Sequence, residues 1–211
     1  MKQNIIITLL AIFITSGLWA QKDPAAEPFL NKFSKAALDA PSVKMSFDIL
    51  INDRINNTSD IRTGEIIIKG DLYMLSLPEN IIWFNGKDIW TFAPEVDEVT
   101  VTLPDPDGET FFSSPSSIFT LYKEGYKYRL IEEKESGIKI DLYPEDLMAE
   151  FTMIRLLIGS GNELIEAEYK RKDGIDMTIK VKNYDLSTNY DDSFFSFDKN
   201  KYKNVDIIDM R

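Results

Sequence analysis

The stretch from Ile81 to Leu103 constrains the fold most, because it encodes two consecutive hairpins. Asn85-Gly86 separates two apolar runs, and both residue types tolerate the positive φ of a two-residue type I′ turn. The turn predicts that Trp83-Phe84 pairs antiparallel with Ile89-Trp90. After a second turn, the residues from Val96 to Leu103 alternate between apolar and polar, which is typical of a half-buried strand. The chain is therefore predicted to be built on an antiparallel sheet.

The same alternation recurs along most of the chain. It predicts further strands at residues 42–52, 60–69, 72–77, 126–131, 138–143, 150–158, 163–171 and 175–183, a short strand at Phe194–Phe197 and a last segment at Val205–Met210. This makes about eleven strands in antiparallel meander order, and so many strands curl rather than stay flat. We expect a mainly β fold (α+β), an incomplete antiparallel barrel.

Two segments depart from the strand pattern. Residues 23–40 predict a helix, with Asp23 as its N-cap and Pro24 at the first helical position. Ser113–Ser117 caps a second, short helix. A helix of that length is unstable without tertiary packing. Both segments carry apolar side chains that must dock on the sheet: Phe29 and Phe33 in the first, and Phe111, Phe119 and Tyr122 in or beside the second.

The first twenty residues, Met1 to Ala20, have the pattern of a signal peptide. Lys2 supplies a positive charge, Ile5–Thr15 is apolar, and Leu18-Trp19-Ala20 offers a small residue for cleavage. The apolar run falls short of the about 20 residues that span a bilayer. The chain has no Cys, so we expect neither a lipid attachment nor a disulfide. We predict an exported, periplasmic protein with one domain, residues 21–211.

Composition excludes several functions. The formal net charge of −11 disfavours nucleic acid and anionic membrane surfaces as partners. With neither His nor Cys, the chain cannot build a Ser-His-Asp or Cys-His nucleophile or the usual zinc and copper sites. Glu166 and Glu168 share a strand face that is predicted to face solvent, and the acidic turn at residues 105–109 lacks the later ligands of a calcium loop. We predict no enzymatic activity, no metal and no cofactor.

The string from Asn85 to Pro94, NGKDIWTFAP, combines an Asn-Gly-Lys turn with the pattern x-x-Trp-x-Phe-x-Pro. This string resembles the outer-membrane lipoprotein carrier family, the LolA-like periplasmic chaperones. The tail residues Phe194–Asp198 and Val205–Asp209 are similar to the closing strand and final acidic residues of that family. The resemblance implies an incomplete barrel of antiparallel strands whose open side is covered by a helical lid, with a hydrophobic cavity between them.

The resemblance also implies a function. It implies a monomeric periplasmic carrier that shields the acyl chains of lipoproteins and transports them from the inner to the outer membrane. The implied partners are acylated lipoproteins or acyl lipids, an inner-membrane lipoprotein-release transporter and an outer-membrane acceptor. The alternative is a periplasmic sensor that binds a lipid in the same half-barrel and regulates a membrane-bound signalling protein. Such a regulator normally carries a second domain, so the single predicted domain favours the carrier.

Strand alternation and the resemblance together assign the binding residues. The predicted cavity wall is Phe47, Ile49, Ile66, Ile68, Leu75, Trp83, Trp90, Phe92 and Val101, and the predicted lid residues are Phe29, Phe33, Phe111, Phe119 and Tyr122. An ordinary packed core is the alternative for any one of these residues, but a wide half-barrel favours a cavity. The chain departs from the family at Gly70, where a lid-binding Arg is expected. The neighbouring Lys69 is predicted to point away from the face of Ile68.

Overall fold

The computed structural model of the protein describes residues 22–105 and 113–211. Within these ranges the chain forms one α-helix, short 3₁₀ turns and a single twelve-stranded sheet. The predicted signal peptide and the predicted lid residue Phe111 lie outside the described residues. In the described part of the chain, no helix has the length and apolar character needed to span a membrane.

The elements follow one another closely along the chain. Helix α1 spans Glu27–Asp39, and the strands are β1 (Val43–Asp53), β2 (Thr58–Lys69), β3 (Leu72–Ser76), β4 (Ile81–Phe84), β5 (Ile89–Ala93), β6 (Glu98–Thr102), β7 (Tyr126–Lys134), β8 (Gly137–Pro144), β9 (Phe151–Ile158), β10 (Leu164–Arg171), β11 (Ile175–Asp185) and β12 (Asp206–Asp209). The 3₁₀ turns are Pro115–Phe119, Leu121–Lys123 and Asp192–Phe195.

The strands lie in the order β12-β6-β5-β4-β3-β2-β1-β11-β10-β9-β8-β7. Strands β1–β6 form one antiparallel meander and β7–β11 another, and the two join where β1 pairs with β11. The order is linear, with β12 at one edge and β7 at the other, so the predicted incomplete barrel is confirmed. A sheet of many twisted strands curls. We call the face that packs against α1 the concave face and the opposite one the convex face.

Three details differ from the sequence prediction. The strand predicted at Phe194–Phe197 is wrong, because the chain there forms the 3₁₀ turn Asp192–Phe195. The last strand, β12, pairs with β6 in parallel, so the sheet is not wholly antiparallel. The parallel pairing follows from a long return: residues 186–205 separate β11 from β12 and bring the chain back to the far edge of the sheet. The helix predicted after Ser113–Ser117 is two short 3₁₀ turns.

Helix α1 begins and ends at residues with clear local causes. Oδ1 of Asp23 accepts a hydrogen bond from the N–H of Ala25 at 2.9 Å, and the carbonyl of Asp23 accepts one from the N–H of Glu27 at 3.3 Å. Asp23 thus organises the turn before the helix, but the prediction of Asp23 as N-cap and Pro24 as first helical residue is wrong, because the N-cap is Ala26 and the regular helix begins at Glu27. Ala40 is extended because Pro41 follows it, and this ends the helix. The buried stripe of α1 is Leu30, Phe33, Ser34 and Ala37.

The central hairpin pairs as predicted but turns one residue later. Trp83 lies opposite Trp90, and Phe84 lies opposite Ile89. Oδ1 of Asn85 accepts hydrogen bonds from the N–H groups of Lys87 and Asp88, at 3.0 and 2.9 Å. At the centre of this turn Gly86 has a φ of 89°, a conformation that favours glycine. Asn85 therefore acts through its side chain instead of adopting positive φ itself.

Candidate functional site

The concave face of the sheet is a continuous apolar wall. Strand pairing places Met45 opposite Ile66 and Ile66 opposite Leu75, so alternate residues of β1, β2 and β3 share this face. Of the predicted wall, five residues lie here, each at most 3% exposed: Phe47, Ile49, Ile66, Ile68 and Leu75. The wall continues across β7–β11 with residues such as Ile154, Leu156, Ala167, Tyr169 and Ile179.

The wall is uncharged. Burial raises the pKa of Tyr73 to about 12, and burial also raises the pKa of Tyr169. Both side chains belong to the concave core, so their hydroxyls stay neutral at physiological pH. An apolar, neutral surface of this kind favours contact with hydrocarbon over contact with polar groups.

Residues 22–39, which contain α1, and the segment Pro115–Lys123 cover the concave wall, and we call these two pieces together the cover. The rings of Phe33 and Phe119 lie 5.4 Å apart, and the hydroxyl of Tyr122 donates to Oδ1 of Asn31 at 2.6 Å. Phe33, Phe119 and Tyr122 are buried, while Phe29 is partly buried against the same core. The described lid residues therefore come together as predicted, in direct contact with the wall.

Polar contacts attach the cover to the edge strand β7. The N–H of Asp23 donates to the carbonyl of Tyr128 at 3.1 Å, and the N–H of Leu130 donates to Oδ2 of Asp23 at 3.0 Å. The ring of Tyr122 lies 6.1 Å from that of Tyr128, and burial raises the pKa of Tyr128. Nζ of Lys22 donates to the carbonyl of Lys123. The attachment is thus concentrated beside one strand.

The other four predicted wall residues do not face the concave side, so that part of the site prediction is wrong. Trp83, Trp90, Phe92 and Val101 lie on the convex face, in a separate cluster with Phe197, Tyr202 and Val205. The reason is the register of β3 and β4: Leu75 faces Ile82, so Ile82 and Phe84 take the concave side and Trp83 the other. Because Ile81, Ile82, Trp83 and Phe84 are all apolar, alternation alone does not assign them to a face.

The C-terminal segment, residues 186–211, covers this convex cluster and was not predicted to do so. Nζ of Lys69 donates to the carbonyl of Tyr190 at 2.7 Å and pairs with Asp192 at 2.8 Å. Lys69 therefore points away from the face of Ile68, as predicted, and contacts this segment rather than the cover. Gly70 lies in the following turn with a φ of 58° and offers no side chain for a lid contact.

A charged ladder lies on the convex face of the other half of the sheet. Arg155 binds the buried carboxylate of Asp141 through two hydrogen bonds of 2.6 and 2.7 Å. Lys170 pairs with Glu168 at 2.6 Å and with the buried Asp176 at 2.9 Å. Glu168 is therefore part of an ion-pair network on this face. Among the described residues, no group of three or more potential ligands could hold a metal ion.

A family model described as outer membrane lipoprotein carrier protein LolA matches residues 20–144. A solved structure of an uncharacterized conserved protein from Thermus thermophilus is 11% identical, with a TM-score of 0.56 over 88% of this chain and 99% of that one. A LolA superfamily protein from Nitrosomonas europaea is 14% identical, with a TM-score of 0.44 over 82% and 97% of the two chains. A putative outer membrane lipoprotein-sorting protein domain from Vibrio parahaemolyticus is 11% identical, with a TM-score of 0.45 over 85% and 100%. The search of curated proteins found no match.

Proposed function

The chain belongs to the outer membrane lipoprotein carrier protein family, and on that premise we propose that it is a periplasmic carrier of lipoproteins. In this role it shields the acyl chains of its cargo and moves them from the inner to the outer membrane. The observation that carries the proposal is the pairing of a neutral, apolar concave wall with a cover attached beside one edge strand.

Acyl chains need such a wall because each CH₂ group taken out of water contributes roughly 0.8 kcal/mol. A lipoprotein therefore does not cross an aqueous compartment unaided. The closed cover keeps the wall out of water, with Leu30 and Phe33 of α1 fully buried. When the cover lifts, acyl chains replace its side chains, so the wall stays out of water in both states. This exchange of one apolar contact for another makes loading reversible.

The polar attachments set the barrier to opening. Each hydrogen bond of Asp23 to β7 contributes about 0.5–1.5 kcal/mol. Such bonds are strong enough to hold the cover closed and weak enough to yield to a loading partner. We propose an inner-membrane transporter as that partner and an outer-membrane acceptor for release. The process requires no cofactor and changes no covalent bond.

A cross-link that holds the cover shut tests the proposal. The chain has no Cys, so Asn31→Cys with Tyr122→Cys gives a unique pair, at positions whose side chains are hydrogen-bonded at 2.6 Å. A short bifunctional maleimide would join α1 to the segment Pro115–Lys123, which the chain itself connects to β7. The matched control is Glu166→Cys with Lys180→Cys, a cross-strand pair on the convex face that leaves the cover free. A synthetic diacylglyceryl-cysteinyl lipopeptide serves as the ligand, and native mass spectrometry measures its binding.

We expect the unlinked cover pair and both forms of the control pair to bind the lipopeptide. The cover pair should lose binding by more than tenfold once linked, which corresponds to about 1.4 kcal/mol or more. Undiminished binding to the linked cover pair would contradict the proposed role of the cover. Absence of binding to all forms, including the parent protein, would contradict the carrier function itself.

A further inference from the structure

A notch interrupts the sheet between β10 and β11. Pairing of these strands runs from Tyr169–Met177 near their turn to Glu166–Lys180, where it stops. Beyond this point β10 remains paired with β9, and β11 remains paired with β1. The two strands separate around a groove of about 720 Å³. Its apolar lining is Leu164, Ile165, Val181, Tyr184 and Leu186.

Both strands that border the notch carry a β-bulge there. On β10 the register against β9 shifts at Ile165, which is left as the extra residue. On β11 the register against β1 shifts at Lys182, which is the extra residue on that side. Both extra residues line the groove. Because bulges bend a strand and redirect its side chains, these two hold the strands apart.

The notch leads to the concave core. Leu164 is 1% exposed and belongs to the cluster that α1 covers. Val181, Tyr184 and Leu186 are partly buried and pack against the same cluster. A ligand with one end in this groove can therefore extend its apolar part along the concave wall without crossing a polar barrier.

Most charged groups at the notch are already engaged. Oδ1 of Asp185 accepts hydrogen bonds from the N–H and the hydroxyl of Ser187, at 2.8 and 2.6 Å. Nζ of Lys182 pairs with Asp48 at 2.6 Å. The Glu163 carboxylate folds over the glycines of its own turn. These contacts keep the charged groups at the rim of the groove. They do not provide a hydrogen-bond acceptor for the side chains on its floor.

The hydroxyl of Tyr184 is different, since it is buried and has no hydrogen-bond partner among the described residues. Burial raises the pKa of Tyr184, with a smaller contribution from the charge of Glu163, so the group remains a donor at neutral pH. A buried donor without an acceptor is unfavourable, and native proteins contain few of them. An acceptor carried by a ligand would satisfy it.

We infer that the notch holds the ester-linked glycerol end of a diacylglyceryl group, and that the Tyr184 hydroxyl donates to an ester carbonyl. This inference rests on the proposed function, which supplies the diacylglyceryl-cysteine of a lipoprotein as the ligand. An ester carbonyl accepts a hydrogen bond and carries no charge, so it suits a neutral groove floor. The notch also leaves the cargo polypeptide outside the sheet, where its polar groups stay hydrated, while the chains lie beneath α1.

The test compares ester-linked and ether-linked forms of one lipopeptide. The probes are a synthetic diacylglyceryl-cysteinyl peptide and its dialkyl ether analogue, which lacks the carbonyls. We expect Tyr184→Phe to bind the ester form about five- to tenfold more weakly than the parent, as for loss of one hydrogen bond. Binding of the ether form should not change. Tyr143→Phe, on the convex face, is the matched control and should change neither affinity.

A stability measurement accompanies the binding test. Because the Tyr184 hydroxyl has no partner among the described residues, Tyr184→Phe should unfold at the same or a higher urea concentration than the parent. A lower midpoint would indicate an internal partner and would overturn the assignment. Equal changes in ester and ether affinity, or no change in either, would also overturn it while leaving the carrier function intact.

Two further outcomes separate this inference from the function on which it rests. If the parent protein binds neither lipopeptide, the proposed function fails. A third probe, dilauroyl phosphatidylcholine, carries the same two fatty-acyl esters but no peptide. If the protein binds this phospholipid through Tyr184 but refuses both lipopeptides, the acylated cysteine is overturned as the source of the ester group.

Discussion

The two faces of the sheet each carry an apolar surface that other parts of the chain cover, and the two coverings are held differently. The concave wall lies under α1 and Pro115–Lys123, and the convex cluster of Trp83 lies under the C-terminal segment. Both surfaces are apolar and largely buried. They differ in the contacts that hold the covering segments in place, and on this difference we base the proposal that the concave side opens and the convex side does not.

The covering of the convex cluster is attached along its length. It begins with the contacts of Lys69 to Tyr190 and Asp192 and continues with Phe197 and Tyr202, whose rings each lie 5.8 Å from Trp83. It ends as β12, a strand hydrogen-bonded to β6. To remove it, many contacts must break together, so it behaves as part of the sheet.

Polar contacts hold the cover of the concave wall to the sheet at one place, beside β7. Asp23 bonds to β7, while the bond between Tyr122 and Asn31 joins the two pieces of the cover to each other. No strand ladder ties α1 to the described sheet. We therefore propose that α1 lifts about its connection to β1, while Pro115–Lys123 stays connected to β7. We infer that attachment, rather than apolarity, distinguishes the proposed binding wall from the convex core.

The largest effect is expected from a substitution that disrupts the packing of the convex covering. Trp83→Ala should lower the free energy of unfolding by about 3–5 kcal/mol, because it removes a buried ring that packs against Phe197 and Tyr202. Urea denaturation measures this loss. Lipopeptide affinity per folded molecule should be unchanged, since Trp83 lies on the face opposite the wall. A lost affinity in a folded variant would place the ligand on the convex face.

A smaller effect is expected where the convex covering is attached by charge. Lys69→Ala should cost about 1 kcal/mol, since Asp192 is largely exposed and solvent weakens the ion pair. Hydrogen exchange should become faster in residues 186–205, and lipid uptake should stay the same. The control Lys87→Ala removes an exposed Lys from a hairpin turn and should change neither quantity. Faster lipid uptake in Lys69→Ala would show that the two coverings are coupled.

The matching change on the concave side should act on uptake instead. Asp23→Ala removes the acceptor for the N–H groups of Ala25 and Leu130 and should cost roughly 0.5–1 kcal/mol. We expect faster loading of lipopeptide, measured by stopped-flow displacement of a hydrophobic dye. Asp23→Asn keeps one of the two acceptor oxygens and should load at a rate between those of the parent and Asp23→Ala. Equal loading rates for all three proteins would argue against a role for Asp23 in holding the cover against β7.

The smallest expected effect is a change in pH dependence at the end of the convex covering. The Arg211 guanidinium lowers the pKa of Asp209 from 3.8 to about 2, aided by a bond from the backbone of Arg211. A lowered pKa favours the folded state above the unfolded pKa, and this contribution is lost as pH falls from about 4 towards 2. Asp209→Asn should therefore flatten the acid limb of the stability curve in this window. Circular dichroism during acid titration measures the change. An acid limb identical to that of the parent would contradict the prediction.

The fold could be predicted because β1 and its neighbours alternate strictly. Val43, Met45, Phe47 and Ile49 are buried in turn, and the polar residues between them are not. The face of β4 could not be predicted, because four consecutive apolar residues, Ile81 to Phe84, carry no alternation. Its side is set by pairing with β3, which depends on the intervening turn. The sequence prediction therefore places Trp83 and Trp90 on the wrong face of the sheet.

The C-terminal region could not be predicted for a different reason. Phe194-Phe195-Ser196-Phe197 has the composition of a strand, but the chain there contacts β3 by forming a turn across the convex face. The parallel partner of β12 depends on a crossing of residues 186–205, and no local pattern encodes where such a crossing ends. The notch beside Tyr184 could not be predicted either. The bulges at Ile165 and Lys182 leave no sign in the alternation of apolar and polar residues along the sequence.

The most direct test of the difference between the two coverings is native-state hydrogen exchange, read by mass spectrometry across a series of low urea concentrations. We expect the amides of α1 to exchange through a local opening with a lower free energy than global unfolding. The amides of β6 and β12 should exchange only with global unfolding, and bound lipopeptide should alter exchange in α1 while leaving these strands unchanged. Exchange of α1 at the global free energy, with an earlier opening of β12, would contradict the account.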